Sequence, residues 1–75
     1  TVGPEYIKAL AIVVKLGSAS ISLIQRKCAV GYNHAGKIIE WMELMGYISP
    51  FDGKAKARTV LLTKEEFESK YGNLD

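Results

Sequence analysis

The sequence predicts a mainly α-helical domain that carries one small β-hairpin. Three features predict it. Apolar residues recur at helical spacing over residues 4–16 and 33–45, glycines stop both runs, and Asp52-Gly53 separates two short β-like runs. The chain has 75 residues, enough for one domain in which folding buries about 60% of the surface of the unfolded chain. An apolar fraction of 48% and a charged fraction of 24% set aside a disordered tail, a collagen-like repeat and a coiled coil. No apolar run approaches the roughly 18 residues of a membrane span, and there is no cleavable signal pattern. Thr1 in place of a Met reads as a fragment cut from a longer protein.

Pro4 suits the first turn of a helix, where its missing N–H costs nothing. Ile7, Leu10, Ala11 and Val14 follow the i, i+3, i+4, i+7 rule and Gly17 supplies the stop, so helix one spans about 4–16. Residues 18–21 suit a turn or a brief strand. Ser22 and Gln25 match a capping box, which places helix two at about 23–29 with Leu23, Ile24 and Cys28 toward the core. Val30-Gly31-Tyr32 is expected to interrupt the helix there with a glycine that can adopt φ > 0. Helix three follows at about 33–45, with Ala35, Ile38, Ile39, Met42 and Met45 on its core side and Gly46 as its stop.

Two helices joined by a short glycine-containing turn make a helix-turn-helix signature. Tyr47–Phe51 and Ala57–Leu62 flank the Asp-Gly turn as a hairpin, which Pro50 restricts to an edge. Thr63 and Glu66 form a second capping box, opening a short helix that Gly72 ends. Three helices followed by a hairpin is the order of a winged helix-turn-helix, with the hairpin as its wing. Residues 1–75 are read as one domain, with a core at about 4–62 and a C-terminal helical extension over 63–75.

The formal charge of +2 hides an asymmetry: residues 1–62 carry a net +4, while Lys64 and Lys70 set against Glu65, Glu66, Glu68 and Asp75 leave the tail at −2. A basic body permits nucleic-acid binding without requiring it. Cys28 has no partner for an internal disulfide, and His34 has only Cys28 or carboxylates as co-ligands, so no metal and no cofactor are expected. Residues 31–38 approach the phosphate loop G-x-x-x-x-G-K-[ST] but put Ile38 where the hydroxyl belongs, and no buried strand precedes them. Glu65, Glu66 and Glu68 favour a helix N-terminus, a structural role. The chain is therefore not expected to be an enzyme by itself.

Helix three carries a second stripe of Asn33, Lys37, Glu40, Trp41 and Leu44. An amide, a cation and a carboxylate in succession suit adenine, guanine O6/N7 and the cytosine amino group, in the half of a recognition helix that enters the major groove. The same three residues also fit a plain solvated face. Trp41 and Leu44 are odd for open solvent and fit either the helix–wing junction or a protein partner. Arg26 and Lys27 at the end of helix two, with Lys54, Lys56 and Arg58 in the wing, stand where phosphates would pass, and equally fit ordinary surface cations. Alternatives to a base-reading domain are a winged-helix transcriptional regulator and an interaction module using the Trp41/Leu44 face.

Residues 18–27 (SASISLIQRK), residues 30–40 (VGYNHAGKIIE) and Met42-Glu43 before Gly46 resemble the gamma domain of the FtsK/SpoIIIE DNA translocases. That family's hallmark is A-S-x-S-x-x-Q-R followed by [IV]-G-Y-N-R-A-A-R, and the resemblance covers about residues 5–62. It implies a C-terminal winged helix on a membrane-anchored, ATP-driven motor active in chromosome segregation and cell division, with the domain itself cytoplasmic and out of contact with the membrane. It further implies recognition of short G-rich double-stranded DNA octamers that orient motor loading, by several gamma domains side by side, and contact with a XerD-type recombinase. Asn33 and Glu40 fall on the family's base-contacting positions, with Lys37 and His34 each standing where an Arg is usual. Lys lacks the rigid guanidinium fork, and an imidazole is not the permanent cation that a guanidinium is. Gly36 replaces the usual Ala, and Cys28 replaces a larger apolar residue.

Overall fold

The computed structural model describes residues 2–54 and 56–74. Its first helix, α1, spans Pro4–Leu16 and stops as expected: Gly17 turns left-handed at φ 71° and its N–H donates to the Val13 carbonyl at 2.8 Å. The helix buries Ala9, Leu10, Val13 and Val14.

The second helix, α2, covers Ile21–Cys28 and starts two residues earlier than its sequence suggested. The reason is the cap. Ser20 lies extended and its Oγ accepts from the Leu23 N–H at 3.1 Å, so the capping box at Ser22 does not form and Ser22 lies within the helix. The turn that follows also departs from expectation. Gly31 is extended at φ −75°, and Ala29 takes the left-handed conformation at φ 54°. The reversal is needed directly at the end of α2, so the residue at that place adopts it despite a cost of about 1–2 kcal/mol for its Cβ. Burial raises the pKa of the Cys28 thiol above its ordinary value, with nearby Lys8 opposing, as suits a packing cysteine.

The third helix, α3, runs over Tyr32–Leu44 and buries Ala35, Ile38, Ile39 and Met42. Its end is a Schellman turn: Tyr47 N–H donates to Met42 O at 2.9 Å and Gly46 N–H to Glu43 O at 3.0 Å, with Gly46 at φ 79°. Met45, expected in the core, falls at this cap and is half exposed.

The expected hairpin is reduced to isolated pairs. Ile48 faces Val60 in an antiparallel bridge, and Ala19 pairs with Arg58 through N–H to O bonds of 3.3 and 2.7 Å. Ser49 explains why the ladder stops. Its N–H reaches Thr59 O, but its Oγ takes the Thr59 N–H at 3.0 Å and its carbonyl accepts from the Arg58 guanidinium at 3.1 Å. Pro50 then offers no N–H.

The last helix, α4, spans Lys64–Tyr71 behind a complete capping box: Glu66 N–H donates to Thr63 Oγ1 at 3.0 Å and Thr63 N–H to Glu66 Oε1 at 2.9 Å. It packs on α1, and Phe67 and Leu74 join Leu10, Ile24, Ile38 and Ile48 in one core. Tyr71 OH lies 2.7 Å from Tyr47 OH, and burial together with this bond raises its pKa. Among the described residues no helix is long and apolar enough to cross a membrane.

Candidate nucleic-acid interface

Helical periodicity divides α3 into lines of side chains. Asn33, Lys37, Glu40 and Leu44 form one exposed line, with Leu44 86% exposed. Trp41 does not belong to it. Eight residues from Asn33 at 3.6 per turn leave it about 80° away, next to His34. There Trp41 is half-buried, edge-on to Tyr6 at 5.6 Å and to Tyr47 at 5.6 Å. The row continues through Tyr71, 6.4 Å from Tyr47, to Phe67. The shared stripe of Asn33 and Trp41 is thus corrected: Trp41 closes the seam between α1, α3 and the 47–62 segment.

The exposed line opens on a shallow concavity holding Asn33, Gly36, Lys37 and Glu40. A second concavity adjoins it, bounded by Ser20, Ser22, Phe51 and Lys56. Ile21, Tyr32, Ile39 and Arg58 line both, so the first turn of α2, the first half of α3 and the 47–62 segment meet along one surface. Gly36 leaves the middle of α3 without a side chain there, and a Cβ at that place would meet nothing within 4 Å. Tyr32 and Phe51, both more than half exposed, stand at the rims. Neither is singled out by the sequence pattern.

His34 lies on the seam side, edge-on to Tyr6 at 6.0 Å, with Nε2 3.6 Å from Glu5 Oε2. Arg26 and Lys27 stand exposed in the last turn of α2, where they also favour the helix dipole, and line neither concavity. Lys54 is exposed in a turn whose N–H is capped by Asp52 Oδ1 at 2.8 Å. Arg58 is engaged: its Nη1 donates to Glu43 Oε1 at 2.7 Å, and its guanidinium lies 5.3 Å from the centre of the Phe51 ring. Residues 31–38 run from a helix cap into α3, between two helices, which is not the strand-to-helix setting of a phosphate loop.

The family model of the Ftsk gamma domain matches residues 2–63. The chain is 45% identical over 60 residues to a DNA translocase FtsK of Caldanaerobacter subterraneus subsp. tengcongensis, covering 80% of this chain and 8% of that protein. It is 38% identical over 63 residues to DNA translocase SpoIIIE of Bacillus subtilis, covering 84% and 8%. A DNA translocase FtsK of Borreliella burgdorferi is 48% identical over 59 residues, covering 79% and 7%. The chain therefore spans less than a tenth of the length of these relatives.

Proposed function

The chain belongs to the Ftsk gamma domain family, and on that premise we propose that it binds double-stranded DNA in a sequence-specific manner. In this reading α1, α2 and α3 with the 47–62 segment act as a winged helix-turn-helix, α3 entering the major groove. Asn33 pairs with adenine, Lys37 reaches guanine and Glu40 accepts from a cytosine amino group. His34 assists from the flank. Gly36 lets the DNA approach the helix closely. Arg26, Lys27, Lys54 and Lys56 hold phosphates and set the register, supplying salt-sensitive affinity with little sequence information.

The parent protein is read as an ATP-driven DNA translocase anchored in the inner membrane, with this domain cytoplasmic and non-catalytic. Binding of G-rich octamers in one orientation, by several gamma domains side by side, biases how the motor loads. Contact with a XerD-type recombinase belongs to the same proposal.

The observation that carries the reading is the placement of Asn33, Lys37 and Glu40 on one exposed line, in a concavity beside that of Lys56. A docking surface made of Trp41 and Leu44 is less well supported, because Trp41 is packed between Tyr6 and Tyr47 and only Leu44 stands free of the seam. An NMR titration with a duplex carrying a G-rich octamer tests the choice. Amide shifts concentrated in 20–22, 26–27, 32–40 and 51–58 are expected. Shifts confined to 44–47, or none, would contradict it.

A further inference from the structure

We propose that Arg58 is a positioning residue: held by Glu43, it fixes the 47–62 segment against α3 so that Lys54 and Lys56 meet the DNA backbone, and it does not itself bind phosphate. The inference rests on the DNA-binding reading above.

Arg58 is the junction of three parts of the fold. Its guanidinium bonds Glu43 Oε1 in the last turns of α3 at 2.7 Å and the Ser49 carbonyl at 3.1 Å, and it lies 5.3 Å from the Phe51 ring centre. Its main chain exchanges two hydrogen bonds with Ala19, in the connection between α1 and α2. Buried Tyr47, Ile48 and Leu62 and the Ile48–Val60 bridge fix the inner end of the 47–62 segment. The ladder is interrupted at Ser49, so the outer part that carries Lys54 and Lys56 depends on the Arg58 side chain for its angle. The side chain is only 16% exposed, and the Glu43 carboxylate at 2.7 Å already offsets its charge, which leaves a phosphate less to gain there. A planar guanidinium bonded twice through Nη1 and lying over an aromatic ring suits a fixed joint, a role a flexible ammonium fills poorly.

This assignment reverses the sign that charge alone predicts. Removing the negative charge of Glu43 should tighten DNA binding if Arg58 is a phosphate contact, because the freed cation becomes available. As a joint, Glu43→Gln loosens the segment and weakens binding. The test is fluorescence anisotropy of the whole chain on duplex DNA at several salt concentrations, for the wild type, Glu43→Gln and Arg58→Lys. Each lost phosphate contact lowers the slope of log K against log salt by about 0.9, so loss of Lys54 and Lys56 together would remove about 1.8. Both variants are expected to show that loss, Arg58→Lys despite its retained charge. Amide exchange without DNA supplies a second readout, with faster exchange expected at Ser49 and Leu61 in Glu43→Gln. Tighter binding by Glu43→Gln with unchanged exchange would overturn the proposal and leave the DNA reading standing. Failure of the wild type to bind at low salt would remove both.

Discussion

On one side of α3, His34 and Trp41 meet the Tyr6 ring of α1, and Trp41 passes the contact on to Tyr47 and through it to Tyr71 and Phe67. On the other, Asn33, Lys37 and Glu40 stand exposed along a concavity floored by Ile21 and Ile39. Edge-to-face ring pairs each contribute about 0.5–1.5 kcal/mol beyond their buried area. A domain of this size has few such resources, and here they are concentrated on the seam where α4 also docks. The consequence is a division of labour within one helix: the seam holds the fold, which leaves the exposed line available for recognition. Substitutions on the two sides should therefore separate stability from binding.

The largest expected effect tests the seam. Phe67 is 2% exposed although it lies beyond the residues that the family model matches. Phe67→Ala should cost about 3–5 kcal/mol in denaturant unfolding. A loss below about 1 kcal/mol would make α4 an appendage and break the comparison. The helix caps come next. Ser20→Ala should cost about 1 kcal/mol by loss of its bond to Leu23, whereas Ser22→Ala should stay within about 0.5 kcal/mol. The reverse order would restore the cap at Ser22.

Ala29→Gly should stabilise the domain by up to about 1 kcal/mol, since glycine relieves the left-handed strain at φ 54° but gives back part of it in chain entropy. Thermal melts should show this gain with no change in DNA affinity. The smallest effect concerns pH. Hydrogen bonding to Thr63, its backbone N–H first, lowers the Glu66 pKa. A depressed folded value means that the contribution is present above the unfolded value of about 4.3 and is lost as pH falls through the lower folded value. Glu66→Gln should flatten this part of the acid limb in melts followed from neutral to acidic pH.

Much of this architecture is legible in the sequence wherever the causes are local. Pro4 and Gly17 bracket α1, and Thr63 with Glu66 announces α4, because each cap is made by residues three or four apart. Three features were not legible. The left-handed residue at Ala29 is imposed by where α3 must start, and no side chain signals it. Spacing alone sets Trp41 about 80° from Asn33, but what covers it is not local, because the rings come from Tyr6 and Tyr47 on other elements. The Arg58–Glu43 bond joins residues 15 apart, and its effect on the segment appears only when Ser49 is seen to spend both its hydroxyl and its carbonyl on that strand. At the candidate site, the polar line of α3 was visible in advance. The rims at Tyr32 and Phe51 were not, because their exposure depends on how α2 and the 47–62 segment meet α3.

The central claim is that the exposed line of α3 reads bases. The most direct measurement is fluorescence anisotropy of the chain on a duplex carrying a G-rich octamer and on its scramble, repeated with Lys37→Ala. The account predicts a preference of about tenfold or more, equivalent to about 1.4 kcal/mol, that Lys37→Ala abolishes while its unfolding transition stays in place. Equal, steeply salt-dependent binding of the wild type to both duplexes would contradict it.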